Sequence, residues 1–551
     1  MRTAAITTPV AFASVPAKSG HRDGREQGAP PKIIPVPPRP TRVEPVRVAD
    51  LANRIGARLQ DRAAGGDDPG EVTVTGATLR AQHVYSGDLF AALPGARAHG
   101  ADFVEAAIAA GAVAVLTDAE GARRPALADS AGAVLVHDDP RGVLGIASAM
   151  IYGEPSRHLS VLGITGTSGK TTTSYLVHAG LQAAGRVTGL LGTVETRVAG
   201  ERLASAFTTP EAPDLQALLG VMVEAGVTDV CMEVSSHALA LGRVAGTRFA
   251  VGAFSNLSQD HLDFHRDMED YFGAKAKLFD GRSSTEVVCV DGEWGRRLVR
   301  PGTITVATRH TEADWTATGI RAGADGGQSF VANGPGGIRL PISLRLPGEF
   351  NVANALLAAA ILHSAGVNSG AIAYGLSTVD VPGRMERVSC GQEFTAVVDY
   401  SHKPAAVSSA LDAVRVQLRR AGGGRVIVVL GCGGDRDAGK RPLMGAEAAS
   451  RSEVLVVTDD NPRSEDPAAI RAEMVAGAMR VPVAGRGEVI EIGDRRQAIG
   501  AAVDRARPGD VVIVAGKGHE SGQEINGVVH PFSDRDELEA AIRIRLGQVS
   551  A

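Results

Sequence analysis

The chain has 551 residues, 44% of them hydrophobic and 22% charged, a composition suited to folded globular domains and a length that suggests about three of them. Its 57 Lys and Arg against 62 Asp and Glu leave a formal net charge of -5, so there is no general electrostatic attraction to nucleic acid. No apolar run approaches the roughly 20 residues that cross a bilayer, and the cysteines, Cys231, Cys289, Cys390 and Cys432, have neither metal-ligand spacing nor disulfide density, so a reducing, cytoplasmic setting is expected.

Residues 1 to about 45 are rich in Pro, Gly and basic residues, as in Pro35-Val36-Pro37-Pro38-Arg39-Pro40, and are expected to form a disordered arm. A docking tail is the functional alternative. Over 46–155, short apolar runs at 112–116 and 133–136 alternate with Ala-rich helical stretches, which predicts a small α/β domain. The region 156–382 opens with an apolar strand at 161–165, a Gly-rich turn and a helix over 170–184. Further strands are predicted at 227–234, 249–256 and 286–290, giving a mostly parallel sheet. From 383 to 551, strands at 396–400, 426–430, 454–458 and 511–515 alternate with helices, the pattern of a doubly wound sheet. Such sheets bind ligands beyond the carboxyl ends of their strands. The polar runs that follow those four strands therefore carry weight: Asp399-Tyr400-Ser401-His402-Lys403-Pro404, Gly431 to Asp437, Asp459-Asp460-Asn461-Pro462-Arg463 and Gly516-Lys517-Gly518-His519-Glu520.

Between the strand at 161–165 and its helix lies Gly166-Thr167-Ser168-Gly169-Lys170-Thr171-Thr172. Glycines let backbone amides approach phosphate oxygens, a helix N-terminus favours their charge, Lys170 neutralises it, and the Thr171 hydroxyl can reach Mg²⁺. The general phosphate-loop form also has Gly five residues before Gly169, where this chain has Ile164, so the loop is a shortened variant. The fold expected is α/β in three domains: a small N-terminal α/β domain, a central P-loop ATPase-like, mostly parallel sheet, and a C-terminal Rossmann-like doubly wound domain.

Two more polar runs follow central strands, Glu233 to His237 and Asn256 to Asp263. Glu233 offers a carboxylate suited to a hard cation and His261 a less usual ligand, with a helix cap or a satisfied core polar group as an equal alternative for each. In Tyr271-Phe272-Gly273-Ala274-Lys275-Ala276-Lys277-Leu278-Phe279, positions 271, 274, 275 and 278 share one helix face, which places Lys275 in an apolar stripe and Lys277 near the opposite side. A desolvated lysine loses its proton readily, and its neutral amine can add CO₂ to become an anionic carbamate. Taken alone, the pattern favours a lysine that snorkels to the surface.

Together these residues resemble the Mur ligase family, from about Gly76 to Arg535. The resemblance implies that Gly166, Thr167, Ser168, Gly169, Lys170, Thr171 and Thr172 hold ATP, with Asn351 and Asn354 on the adenine side and Arg384 and Asp399 closing from the third domain. It implies that Thr171, Glu233, His261 and a CO₂-derived carbamate on Lys275 hold Mg²⁺, with Lys170, Lys275 and His261 serving catalysis. Thr208, Thr209, Ser235, Leu241 and Arg243 resemble segments that bind a UDP-muramoyl-dipeptide, and Leu79, Ala81, Ala96, Arg97 and Ala98 resemble the uridine pocket. The usual Asp-Ser-Arg of that pocket is Arg80-Ala81-Gln82 here, and Leu241 stands where some members carry Gln.

The run Asp460-Asn461-Pro462-Arg463 resembles the form found in members that add meso-diaminopimelate, with Arg436, Gly516 and Glu520 completing the pocket. The activity implied is an ATP-dependent amide ligase joining meso-diaminopimelate to UDP-N-acetylmuramoyl-L-alanyl-D-glutamate through an acyl phosphate, acting on small molecules as a monomer. Lysine is expected to be rejected at least about a thousandfold, because it would leave Arg463 desolvated and unpaired. The alternatives are a lysine-adding or folylpolyglutamate-type ligase, or a non-catalytic protein gated by ATP.

Overall fold

The computed structural model describes residues 38–60, 68–95, 98–128, 132–203, 207–310, 312–323 and 326–549. Three large sheets follow one another along the chain. In the first, strands lie in the order Arg58–Leu59, Ala133–Val136, Ala114–Thr117, Asp88–Ala91 and Gly76–Thr78, parallel except for the first pair.

The central sheet has eleven strands. Its parallel part runs Thr188–Leu191, Asp229–Glu233, Ser160–Thr165, Phe249–Phe254, Ser283–Cys289, Ile304–Ala307 and Trp315–Ala322. Antiparallel hairpins extend both edges, Thr196–Val198 with Glu201–Leu203 at one and Gln328–Gly334 with Ile338–Leu344 at the other. Residues of Ser160–Thr165 alternate between cores: Leu162 and Ile164 pack with the helices Lys170–Ala183 and Glu349–Ser364, while Val161 faces Leu215, Leu219 and Met222. The helix Glu349–Ser364 is apolar on nearly every side, which is why it can be buried between sheet and neighbouring helices.

The third sheet runs Glu386–Arg387, Thr395–Asp399, Val511–Ala515, Val426–Leu430, Val454–Val457 and Glu488–Glu491, parallel except for the first pair. Val426, Val428 and Leu430 face one core, Ile427 and Val429 the other, so both faces carry helices and the sheet is doubly wound. No described helix is long and apolar enough to cross a membrane.

Parallel register sets the site. Glu233 pairs with Ile164 and Phe254 with Thr165, so the loops after three central strands emerge side by side. Asp399 and Leu430 both pair with Ala515, and Leu430 with Val457, which does the same for the third sheet.

Residues 1–37 of the expected arm lie outside the described residues, but residues 38–45 depart from it. Arg39 pairs with the buried Asp88 at 2.6 Å and lies 4.5 Å from the Tyr85 ring, while the amides of Thr41 and Arg42 donate to Glu224 at 3.0 and 2.9 Å. Composition misses this because the ordering comes from carboxylates far away in the chain.

Candidate active site

The loop between Ser160–Thr165 and Lys170–Ala183 is built around two glycines with positive φ, Gly166 at 146° and Gly169 at 85°. A Cβ would stand 2.0 Å from Ser255 Oγ at Gly166 and 2.2 Å from Asn354 Oδ1 at Gly169, so neither position accepts a larger residue without displacement. Lys170 Nζ curls back to donate to the carbonyls of Gly166 at 2.9 Å and Thr167 at 3.0 Å. Ser168 N donates to Asn256 Oδ1 at 2.9 Å. Burial lowers Lys170 to about 8, against the pull of Glu233. Thr172 is buried in the first turn.

Glu233, 1% exposed, accepts from Thr171 Oγ1 at 3.0 Å, Thr193 N at 2.9 Å and Thr193 Oγ1 at 3.1 Å. A hydroxyl and a carboxylate oxygen thus sit together at the start of the phosphate-loop helix, a donor set that suits Mg²⁺. Among the described residues, no group of three or more His, Cys, Asp or Glu side chains could hold a metal by itself.

Lys275 does not snorkel. It is 1% exposed in the helix Met268–Ala276, among buried Tyr271, Ala274 and Leu278, whereas Lys277 is exposed. Its Nζ donates to Gly166 O at 2.8 Å and lies 4.6 Å from the Tyr271 ring, whose hydroxyl meets Thr167 Oγ1 at 3.1 Å. Burial pushes this amine well below the ordinary lysine range, and nearby Lys170 and Lys403 push the same way. His261, with φ of 53°, places Nε2 3.0 Å from Asp260 Oδ2 and its ring 4.9 Å from that of His237. Desolvation lowers His261 to about 4 despite Asp260. Burial alone would raise Asp260, but Lys403, its ion-pair partner from the third region, and His261 hold it below the usual carboxylate range.

Other third-region groups reach the same cleft. Arg384 Nη2 donates to Thr171 Oγ1 at 3.3 Å and stacks 4.2 Å from the Tyr400 ring. Asp399 accepts from Met385 N and Ser401 N, both at 2.8 Å, and so fixes the turn that presents Lys403. Asn351 is turned inward, donating to Pro347 O at 2.7 Å and accepting from Asn354 at 3.1 Å. It therefore orients Asn354, which faces Gly169.

Around the third-sheet strand ends, Asn461 Nδ2 donates to Glu520 Oε2 at 2.9 Å, and Asp460 is buried beneath Gly516, where a Cβ would meet Asp460 Oδ2 at 2.6 Å. Arg463, after Pro462, has φ of 55°. Its guanidinium is already engaged: Nη1 donates to Gly434 O at 2.6 Å and Nε lies 3.6 Å from Glu524 Oε2. This corrects the expectation that Arg463 is left unpaired when a ligand lacks a distal carboxylate, because the turn at Gly434 and the strand Gly522–Ile525 supply partners. Arg436 is exposed on the loop after Val426–Leu430.

Thr208 Oγ1 meets Thr193 Oγ1 at 3.0 Å, and Thr209 Oγ1 donates to Glu233 O at 2.9 Å. Ser235 caps the helix Ser236–Ala240, Leu241 ends it, and Arg243 reaches back to Thr209 O at 3.1 Å and Glu211 at 2.7 Å. These residues therefore border the Glu233 cluster. In the first domain, Leu79 directly follows the strand Gly76–Thr78 and Ala81 is buried in the turn Ala81–His83. Neighbouring Arg80 pairs with Asp214 at 3.2 Å. Ala98 is exposed, and Ala96 and Arg97 lie outside the described residues.

Thr193, Asn256, Asp260, Lys517 and Glu524 join these clusters without a role assigned to them from sequence. Asn256, Asp260 and Lys517 sit in strand-end runs, the signal already in use. Thr193 follows the strand Thr188–Leu191, which was not among the predicted strands.

Comparison with known proteins accords with this geometry. Residues 73–152 match the Mur ligase family, catalytic domain; 164–362 the Mur ligase middle domain; and 383–518 the Mur ligase, glutamate ligase domain. The chain is 53% identical over 515 residues, 92% of its length and 99% of the relative's, to the UDP-N-acetylmuramoyl-L-alanyl-D-glutamate--2,6-diaminopimelate ligase of Streptomyces avermitilis. It is 51% identical to the protein of that name in Corynebacterium glutamicum, over 90% of this chain and 98% of the other. A solved structure of such a ligase superposes with a TM-score of 0.64 at 30% identity, covering 91% of this chain and all of that one. A chain with this three-domain architecture, this phosphate loop and these relatives belongs to the Mur ligase family.

Proposed function

We infer that the chain joins meso-2,6-diaminopimelate to UDP-N-acetylmuramoyl-L-alanyl-D-glutamate at the expense of ATP, in cytoplasmic synthesis of peptidoglycan precursor. The observation that carries this reading is the meeting of the phosphate loop, Glu233, Lys275 and the third-region groups Arg384 and Lys403 in one cleft. The likeness over nearly the full length of the Streptomyces avermitilis relative supports the choice of substrates. The chain is proposed to act on these small molecules as a monomer.

In the reaction, an oxygen of the D-glutamyl γ-carboxylate attacks the γ-phosphorus of ATP and the bond to the β-phosphate oxygen breaks, leaving ADP and an acyl phosphate. The amine of diaminopimelate then attacks the acyl carbon; phosphate departs with the bonding electrons, and the amine's proton is lost as the amide forms. A carboxylate and a polyanion repel, so the site must mainly position and neutralise. Lys170 turns from the loop carbonyls toward the phosphates, the loop amides cradle them, and Arg384 adds positive charge from the third domain. Thr171 and Glu233 would hold Mg²⁺, with His261 and a carbamate on Lys275 bordering a second such ion; bound there, Mg²⁺ would screen charge on the transferring phosphoryl. Thr208, Thr209, Ser235, Leu241 and Arg243 lie where they can hold the muramoyl-dipeptide beside Glu233, and Leu79, Ala81, Ala96, Arg97 and Ala98 are assigned to its uridine end. Arg463, Arg436, Asp460, Asn461, Pro462, Gly516 and Glu520 would receive the amino acid.

A product assay with radiolabelled UDP-muramoyl-dipeptide, ATP and a panel of amino acids tests the reading. The tripeptide should form with diaminopimelate, accompanied by equimolar ADP and phosphate. Product with none of the panel, or with glutamate alone, would overturn it.

A further inference from the structure

Lys517 follows the strand Val511–Ala515 by two residues, and its side chain has no exposed surface. Its ammonium donates to Asn461 Oδ1 at 2.9 Å and Glu520 Oε2 at 3.3 Å, and lies 3.9 Å from Asp460 Oδ1. Asn461 Oδ1 also accepts from Glu524 N at 2.9 Å, which leaves its Nδ2 aimed at Glu520 Oε2, 2.9 Å away. A buried ammonium is tolerated only where its charge finds partners, and here it donates to the Asn461 amide oxygen and the Glu520 carboxylate with the Asp460 carboxylate close by.

We propose that Lys517 is a specificity-determining positioning residue of the amino-acid pocket, one that cancels a carboxylate charge and so tunes the pocket to a distal carboxylate and ammonium presented together rather than to a lone ammonium. The inference rests on the functional reading above. Of the charges facing the pocket, Arg463 and Glu524 oppose one another 3.6 Å apart, and Arg495 beneath it is paired with Asp534 at 2.7 Å. Arg436 stands exposed on its loop, so at the floor of the pocket Asp460 and Glu520 are two negative charges against the single positive charge of Lys517. The distal end of diaminopimelate carries both signs and is neutral overall; that of lysine carries +1. Removing the Lys517 charge makes the pocket more attractive to lysine's ammonium and more repellent to the distal carboxylate of diaminopimelate. Lys517 also holds Asn461 and Glu520 in their observed orientations.

The test measures kcat/KM for meso-diaminopimelate and for lysine in the full chain, in the wild type, Lys517→Met and Lys517→Arg. In Lys517→Met the preference for diaminopimelate should fall about tenfold or more through a rise in its KM, while KM for ATP is unchanged. Lys517→Arg, which keeps the charge, should recover part of that preference. Equal losses for both amino acids, or an unchanged ratio in Lys517→Met, would overturn the proposal and leave Lys517 a structural residue. Should Lys517→Met fail to fold, Lys517→Gln, which keeps a donor for Asn461 Oδ1 without the charge, takes its place; a fall in the ratio of about tenfold supports the proposal and an unchanged ratio contradicts it. A wild-type chain that does not use diaminopimelate at all would instead refute the functional reading, and this inference with it.

Discussion

Replacing Lys275 separates its structural part from its chemical part. In Lys275→Ala the fold loses one hydrogen bond to Gly166 O at 2.8 Å and the packing of a fully enclosed side chain against Tyr271. Gly166 O keeps its hydrogen bond from Lys170 at 2.9 Å, so losing the second donor costs about 1 kcal/mol, and the cavity adds a further cost on the order of 2 kcal/mol. Lys275→Met keeps most of the volume and should lose only about 1–2 kcal/mol, readable as a small fall in the thermal midpoint. Turnover is expected to behave differently. If the neutral amine adds CO₂, releasing a proton and leaving an anionic carbamate, then both variants lack that anion and phosphate release should fall by about a hundredfold or more, the scale on which a single preorganised electrostatic group acts. A short carboxylic acid at high concentration should partly restore Lys275→Ala, where a cavity can receive it, and not Lys275→Met. Exposed Lys277 serves as the control, and Lys277→Ala should be near wild type. Near-wild-type turnover in a folded Lys275→Met would refute the reasoning.

Because burial holds Lys170 at about 8 in the free protein, binding a polyanionic nucleotide should raise its pKa and take up protons between about pH 8 and 9; calorimetry of ATP binding in buffers of different ionisation enthalpy would detect this uptake, and proton release would contradict it. Asp534→Ala leaves Arg495 buried without its carboxylate and should destabilise the third domain by about 3–5 kcal/mol in denaturant unfolding, since Arg495 also ties Ala515 O to Asp459 O. A loss below about 1 kcal/mol would show the pair to be dispensable. The nucleotide product should be ADP, and detection of AMP would replace the acyl phosphate with adenylation.

The parallel strands that were legible in the sequence are short, largely buried apolar runs, and those at 133–136, 426–430 and 511–515 match the observed bounds, whereas Thr188–Leu191, Ile304–Ala307 and Glu488–Glu491, shorter in apolar run or more exposed, escaped. The strands from Trp315 to Leu344 were not legible either, since one face of each is partly exposed and the apolar signal is diluted by Thr, Arg and Gly. Lys275 was placed on the correct face by helical spacing, but spacing could not say whether its amine escapes to solvent. That depends on Gly166, 109 residues away. For the same reason the pairing of Asp260 with Lys403, across 143 residues, and the engagement of Arg463 by Gly434 had no local signature. Arg39 lay in a segment whose Pro-rich composition masks the one side chain that finds Asp88.

The central claim is the choice of amino acid, and it is tested most directly by competition between equal concentrations of meso-diaminopimelate and lysine for the UDP-muramoyl-dipeptide, in the wild type and in Arg463→Ala. Since Gly434 O and Glu524 already engage Arg463, the discrimination expected is about a hundredfold or more rather than the larger value for an arginine left wholly unpaired. Wild-type product should be almost entirely the diaminopimelate tripeptide, and Arg463→Ala should lose most of that preference. Comparable incorporation of lysine by the wild type, or unchanged selectivity in Arg463→Ala, would contradict the account.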